Sequence, residues 1–278
     1  MMAALAAFEM PAAGPWPLWL WSASFAAALL CAVWHARGFP GQSPDPDSRL
    51  DGRVMYWASL VALAVGLFGS RAMFVLVHGE PWAVASLWEG GRSFYGGLIA
   101  GMLAGALVLK LFGGSLLAYA DAVCPAVALG YAIGRLGCLV NGDNHGTPAS
   151  LPWAIRYPPG TEAHADHLAR GWVQDGNWSL AVHPAQLYSS LAGFAVFAIL
   201  VAMRRSGPGA RFSVAAIAYG VGRFSMEYVR GDFRAVLGPL SLPQCLSLLL
   251  ILTGAGVALG RRRRAIPANG ARTCTRAA

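Results

Sequence analysis

The sequence predicts an all-α polytopic membrane protein, with about seven transmembrane helices and one long loop on the outer side. Three observations predict it. Of 278 residues, 56% are hydrophobic and 12% charged, where a soluble domain carries about a quarter charged. Several apolar runs reach the roughly 20 residues needed to cross a bilayer. The basic residues, all but one arginine, cluster in alternate segments between those runs and at the C-terminus, as cytoplasmic loops require.

Taken in order, the spans are expected at about 16–35, 54–77, 94–112, 116–140, 184–203, 212–230 and 240–260. Arg37, Arg49 and Arg53 follow the first, Lys110 ends the third, "RRSGPGAR" (204–211) follows the fifth and "RRRR" (261–264) the last. These regions face the cytoplasm by the positive-inside rule. The N-terminus and the segments 78–93, 141–183 and 231–239 then face outward. The chain reads as one integral-membrane domain, 1–264, with its outer loop at about 141–183 and a disordered cytoplasmic tail, 265–278. That loop holds Trp153, Tyr157, Trp172 and Trp178, residues that favour a membrane surface. "MMAALAAFEM" lacks the basic n-region of a cleaved signal.

Composition also excludes. No aromatic-interleaved basic stretch suggests nucleic acid. The five cysteines form no CxxC pair, so neither a metal cage nor a disulfide framework is expected. "HADH" (164–167) is a weak metal motif. There is no P-loop and no GxGxxG, and no cofactor is expected. No internal repeat appears, which speaks against a secondary transporter.

Ionisable groups inside spans are costly and usually functional. Six are expected there: Arg71, Asp121, Arg135, Arg223, Glu227 and Arg230. All but Asp121 fall in the outer half of their span and could converge on one outward-opening polar cavity. Arg223, Glu227 and Arg230 are spaced i, i+4, i+7, so a continuous helix puts them on one face. They read either as an ion-pair ladder between helices or as an anion site with a fixed carboxylate. A bidentate guanidinium suits phosphate.

"GRLGCLVNGDNHGTP" (134–148) ends the fourth span. Arg135 could snorkel at the interface or, with Arg223 and Asn141, form a phosphate cradle. Gly97, Gly101 and Gly105 form a small-xxx-small packing stripe. "HPAQLY" (183–188) opens the fifth span, with His183 and Gln186 at the interface.

Four motifs in order, "WEGGRSFYGGL", "GRLGCLVNGDNHG", "HPAQLY" and "GRFSMEYVRGD", together with "LSLPQCLSLLLIL", resemble the prolipoprotein diacylglyceryl transferase family of the bacterial inner membrane, over roughly residues 60–260. The resemblance implies a seven-helix fold, N-terminus periplasmic and C-terminus cytoplasmic. It implies transfer of diacylglyceryl from phosphatidylglycerol to the lipobox cysteine of preprolipoproteins, releasing glycerol 1-phosphate. Arg135 and Arg223 then hold the phosphate. Asn141, Gly142 and Gly146 shape the loop beside the headgroup, and Glu227 orients Arg223 or Arg230. Asp121, Arg71, His183 and Gln186 complete the substrate-binding set. Tyr95 stands where well-known members carry the histidine proposed as thiol base. With an ordinary pKa near 10, tyrosine is a poor base at neutral pH. It acts through hydrogen bonding, or His145 or His183 takes the proton. The first span also lacks the tyrosine motif the resemblance leads one to expect. Two other readings remain open at this point: a paralogue acting on phospholipid headgroups with another acceptor, and an anion transporter.

Overall fold

The computed structural model describes residues 8–10, 52–78, 94–113, 115–203, 207–231 and 235–265. The described helices are α1 (Gly52–His78), α2 (Phe94–Leu111), α3 (Leu116–Asn141), α4 (Glu162–Ala169), α5 (Ala185–Ala202), α6 (Ala210–Met226) and α7 (Leu242–Ala265). Four short strands accompany them: β1 (Phe8–Glu9), β2 (Ile155–Arg156), β3 (Ala235–Leu237) and β4 (Leu240–Ser241).

Among the described residues, four helices are long and apolar enough to cross a membrane, over Arg53–Leu76, Leu116–Asn141, Ala185–Ala202 and Leu242–Arg263. The chain is a helical membrane protein. The expected spans at 94–112 and 212–230 are helical but shorter. In α2 the apolar stretch is Gly96–Leu111. Helix α6 has 17 residues, about 25 Å at 1.5 Å per residue. It stops at Met226, four residues before the expected end. There Glu227 still has helical dihedrals, but the chain tightens into i→i+3 bonds from Tyr228 N to Ser225 O and Val229 N to Met226 O. The expected first span, 16–35, lies outside the described residues, as does nearly all of the expected tail.

The described residues form two compact units. One draws on Cys124–Met203 and the described residues from Gly209 onward, with residues 8–10; the other draws on Leu29–Val123 with residues 207–208. In the second unit α1 packs on α2 through small residues. A Cβ built on Gly101 would meet Ala62 O at 2.8 Å, and one on Gly97 would meet Gly66 O at 3.1 Å. In lipid, apolar side chains gain little by meeting one another, so close backbone approach and its dispersion contacts carry the association. The glycine stripe therefore packs, as its spacing predicts.

The first unit repeats the device. Gly193 of α5 faces Ala132 of α3, where a Cβ would sit 2.9 Å from the alanine Cβ, and Ser190 Oγ donates to Ala132 O at 2.8 Å. Gly220 of α6 faces Ser247 and Ile251 of α7. Large residues such as Leu103, Leu191 and Leu252 remain exposed on the helices, as expected where the solvent is hydrocarbon.

The 141–183 segment carries a core of its own. Met10, Ile155, Tyr157, Ala163 and Val182 are buried together, with Leu139 and Val140 packed against them. Strand β1 pairs parallel with β2, Phe8 opposite Ile155 and Glu9 opposite Arg156. This departs from a purely helical expectation: Ile155 also bridges Val182, and Pro148 bridges Val182. Helix α4 is capped by Thr161, whose side chain accepts from His164 N.

Candidate active site

Helix α3 delivers Arg135 to the site, ten residues after a fully buried Pro125 inside the same helix. Its guanidinium lies over the face of Tyr131, one turn earlier, at 5.1 Å from the ring centroid. The Tyr131 ring in turn makes a T-shaped contact with Tyr219 of α6, centroids 5.2 Å apart. A cation over an aromatic face is held without losing its charge. The helix then stops abruptly. Gly142 adopts φ +75°, the left-handed C′ position that favours glycine, and donates to Cys138 O at 2.9 Å.

The next turn brings a second polar group inward. Asn144 has φ +55°, a conformation asparagine tolerates better than most residues. Its Oδ1 accepts from Arg230 Nη1 at 2.9 Å. Gly146 follows and forms an antiparallel bridge with Arg230, while Thr147 N donates to Val229 O at 2.8 Å and His183 N to Thr147 O at 3.0 Å. A Cβ on Gly146 would lie 2.5 Å from His183 O and 2.6 Å from His183 Cβ. Only glycine lets the loop pass between the 229–231 segment and the start of α5.

Arg223 comes from the last turn of α6 and pairs with Glu227 Oε2 at 2.5 Å. Glu227 is 4% exposed. Because α6 has ended, Arg230 reaches the pocket through the bridge to Gly146 rather than along a continuous helix face. This corrects the shared-face expectation while preserving its consequence.

Tyr131, Arg135, Asn144, Ala185, Ser189, Arg223, Met226 and Arg230 line one pocket of about 10 Å³, the room of about a single water. Among the described residues this lining holds three guanidiniums and no acid. Glu227 stands behind Arg223, and the lining itself carries three positive charges. Such a pocket attracts an anion with several acceptor oxygens.

Other expected residues fall beside the pocket or in the other unit. Asn141 is the last residue of α3, and the asparagine in the lining is Asn144. Gln186 is buried and donates to Asp143 O at 2.8 Å, pinning the turn. Burial raises the Asp143 carboxyl above the usual carboxylate range. His183 abuts Gly146 and packs near Tyr188, its Nδ1 buried. Arg71 and Asp121 are buried residues of the second unit, Arg71 lying 5.8 Å from the Phe74 ring. Tyr95 is the second residue of α2 in that unit.

Reading from sequence alone missed Tyr131, Asn144, Ser189 and Met226. Tyr131 was findable, one helical turn before Arg135. Asn144 depends on a turn conformation that spacing does not encode.

A second cluster sits in the loop. His145, Asp166 and His167 bring ligand-type atoms within 4.8 Å of one another. This splits the "HADH" pair: His167 joins the group and His164 does not. Leu180 N donates to His167 Nδ1 at 3.2 Å, which assigns the imidazole proton to Nε2. That nitrogen is then a donor, unsuited to a cation. Burial, then the neighbouring His145, lowers the His167 pKa from 6.5 to about 4, so the ring is neutral at pH 7.

Residues 8–259 match the family described as prolipoprotein diacylglyceryl transferase. Relatives named phosphatidylglycerol–prolipoprotein diacylglyceryl transferase are similar over most of the chain. That of Gloeobacter violaceus is 37% identical over 212 residues, 70% of this chain and 73% of the relative. That of Methylobacillus flagellatus is 34% identical over 253 residues, covering 86% and 89%. That of Paraburkholderia xenovorans is 36% identical over 213 residues, 70% of each.

Proposed function

The chain belongs to the prolipoprotein diacylglyceryl transferase family, and from that premise we propose that it transfers the diacylglyceryl group of phosphatidylglycerol to the lipobox cysteine thiol of a preprolipoprotein. The observation that carries this reading is the meeting of Arg135, Arg223 and Arg230 in one pocket. They come from α3, from α6 and from the bridge after it.

The chemistry follows from the charges. The acceptor sulfur bonds to the glyceryl carbon that bears the phosphate ester. The carbon–oxygen bond to phosphate breaks, and the phosphate departs with its glycerol as glycerol 1-phosphate. The thiolate is the nucleophile, so the thiol proton leaves first or in step and passes to water or to the released phosphate monoester. Negative charge concentrates on the leaving phosphate as the bond lengthens. Guanidiniums already aimed at that position stabilise it there more than in the ground state. Arg135 and Arg223 take the phosphate oxygens, and Arg230, held by Asn144, closes the third side. To admit the headgroup the arginine side chains draw apart, since the pocket at rest has room for little more than a water. Glu227 fixes Arg223. Gly142 and Gly146 permit the turn that brings Asn144 inward.

The surrounding architecture is proposed in the same terms. Seven helices span the bacterial inner membrane, the loop at 141–183 lies on the periplasmic side, and the arginine-rich C-terminus is cytoplasmic. Substrate headgroup and lipobox peptide then meet at the outer leaflet.

The test is in vitro transfer with phosphatidylglycerol and a lipobox peptide, read as a mass gain of one diacylglyceryl unit. Arg135→Ala and Arg223→Ala each abolish it. Full transfer by both variants refutes the assignment of the phosphate to these arginines.

A further inference from the structure

Arg170 ends α4 in the outer loop and bonds in two directions. Its Nε donates to Asp166 Oδ1 at 3.1 Å, one turn earlier, and its Nη2 donates to Gly231 O at 3.1 Å. The guanidinium also lies 4.9 Å from the Trp172 ring centroid. Asp166 Oδ2 faces His145 Nε2 at 3.6 Å. Gly231 N donates to His145 O at 3.2 Å. Both backbone polar groups of Gly231 are therefore held by the loop, the N–H by the main chain of His145 and the carbonyl by Arg170.

Gly231 directly follows Arg230. A Cβ on it would lie 3.0 Å from Gly146 O and 3.0 Å from His145 Cε1, so the segment runs flush against the loop. The place where Arg230 leaves the backbone is thus fixed on both sides, by the bridge to Gly146 before it and by the grip on Gly231 after it. We propose that Arg170 and Asp166 are positioning residues for the transfer. They hold Gly231 and thereby set the direction in which Arg230 enters the phosphate pocket. The inference rests on the proposed function and deepens it: a helix in the periplasmic loop tunes the placement of a phosphate ligand that it does not touch.

Exposure separates this role from a structural one. Arg170 and Asp166 side chains are 39% and 30% exposed. Exposed pairs contribute little to stability, so substitution leaves the fold in place. What changes is the geometry around Arg230. Loss of one charge-assisted bond at a partly exposed site corresponds to a roughly five- to tenfold effect.

The experiment uses the full chain in detergent, phosphatidylglycerol and a lipobox peptide. Arg170→Ala lowers kcat about five- to tenfold and leaves the peptide KM unchanged. Asp166→Asn, which keeps an acceptor for Arg170, lowers kcat only about twofold. Both substitutions are then repeated in an Arg230→Lys background, forming a double-mutant cycle. If Arg170 acts through Arg230, its loss has no further effect there. An equal fractional loss in both backgrounds, the signature of general loosening, overturns the proposal. So does an unchanged kcat for Arg170→Ala alone. Transfer by the unaltered chain with an additive cycle sinks this inference only; no transfer by the unaltered chain sinks the proposed function and this inference with it.

Discussion

Glu227→Gln separates charge from geometry at the site. Glu227 is buried and pairs with Arg223 across one helical turn. The arginine side chain is 14% exposed and that of the glutamate 5%, so water screens the pair little. Glutamine has the same size and can still accept one hydrogen bond. It loses the negative charge, which has two opposing effects. The pocket becomes more positive by one charge, which favours binding of the anionic headgroup and lowers its KM. Arg223, held by a neutral bond in place of a charged pair, spreads over more rotamers, and fewer are aimed at the leaving phosphate. A hydrogen bond to a charged group contributes about 1.5–3 kcal/mol. At 1.36 kcal/mol per tenfold, kcat falls by roughly 10- to 150-fold. Steady-state transfer, varying phosphatidylglycerol in mixed micelles, gives both constants. The expected result is a lower kcat with a lower or unchanged KM. A raised KM with unchanged kcat would refute the reasoning, because it would mean that Glu227 assists substrate binding rather than alignment of Arg223.

Gly146→Ala places a methyl 2.5 Å from His183 O. Overpacking against backbone costs about 1–3 kcal/mol, so the melting temperature drops and transfer falls more than tenfold as the Arg230 bridge shifts. Gly222→Ala is the control: no described atom lies within 4 Å of its Cβ, and alanine in a helix is worth up to about 1 kcal/mol over glycine. Equal damage from both would remove the steric argument. His167 gives a pH prediction. Its folded pKa of about 4 lies below the ordinary 6.5, so between these values the unfolded loop binds a proton that the folded loop does not. Its contribution to stability is whole above pH 6.5 and declines as pH falls to about 4. The charged and titratable neighbours are His145, His164, Asp166 and Arg170. Amide exchange of residues 155–182 between pH 4 and 7.5 should show the loop loosening on acidification, and His167→Gln should flatten that slope. Identical slopes in both proteins would count against it.

The helices were legible because hydrocarbon demands long apolar runs, and their ends fell within a few residues of expectation in α1, α2, α3 and α5. The end of α6 was not. Residues 223–230 are compatible with further helix by spacing, and the competitor that wins is remote: the bridge from Gly146 to Arg230. The same remoteness hid Asn144. Its neighbour Asn141 sits in the matching motif and drew the assignment, but a left-handed turn decides which amide points inward. The core under the outer loop escaped for a related reason. Tyr157 and Val182 are buried by partners as distant in sequence as Met10, and no local period announces such a contact. The arginines were legible as a set because ionisable residues at membrane depth are rare enough to need an explanation.

The way those arginines are held says what the pocket is for. Three cations brought this close repel one another, and the simplest remedy is a carboxylate for each. A pocket neutralised in that way would be stable and would bind no phosphate. Here Arg135 rests on the face of Tyr131 and Arg230 donates to the amide of Asn144. These two contacts fix direction without cancelling charge. Arg223 pairs with Glu227, and Asp143, a carboxyl whose ionisation burial disfavours, lies near enough to Arg135 to feel its charge. Repulsion between guanidiniums is therefore left in the resting site, held by the helix packing at Gly193 and Gly220 and by the bridge at Gly146. An arriving phosphodiester relieves part of it, and the departing phosphate monoester, which carries more charge, relieves more. That difference between ground state and transition state is what accelerates a transfer, and a fully paired site would not have it.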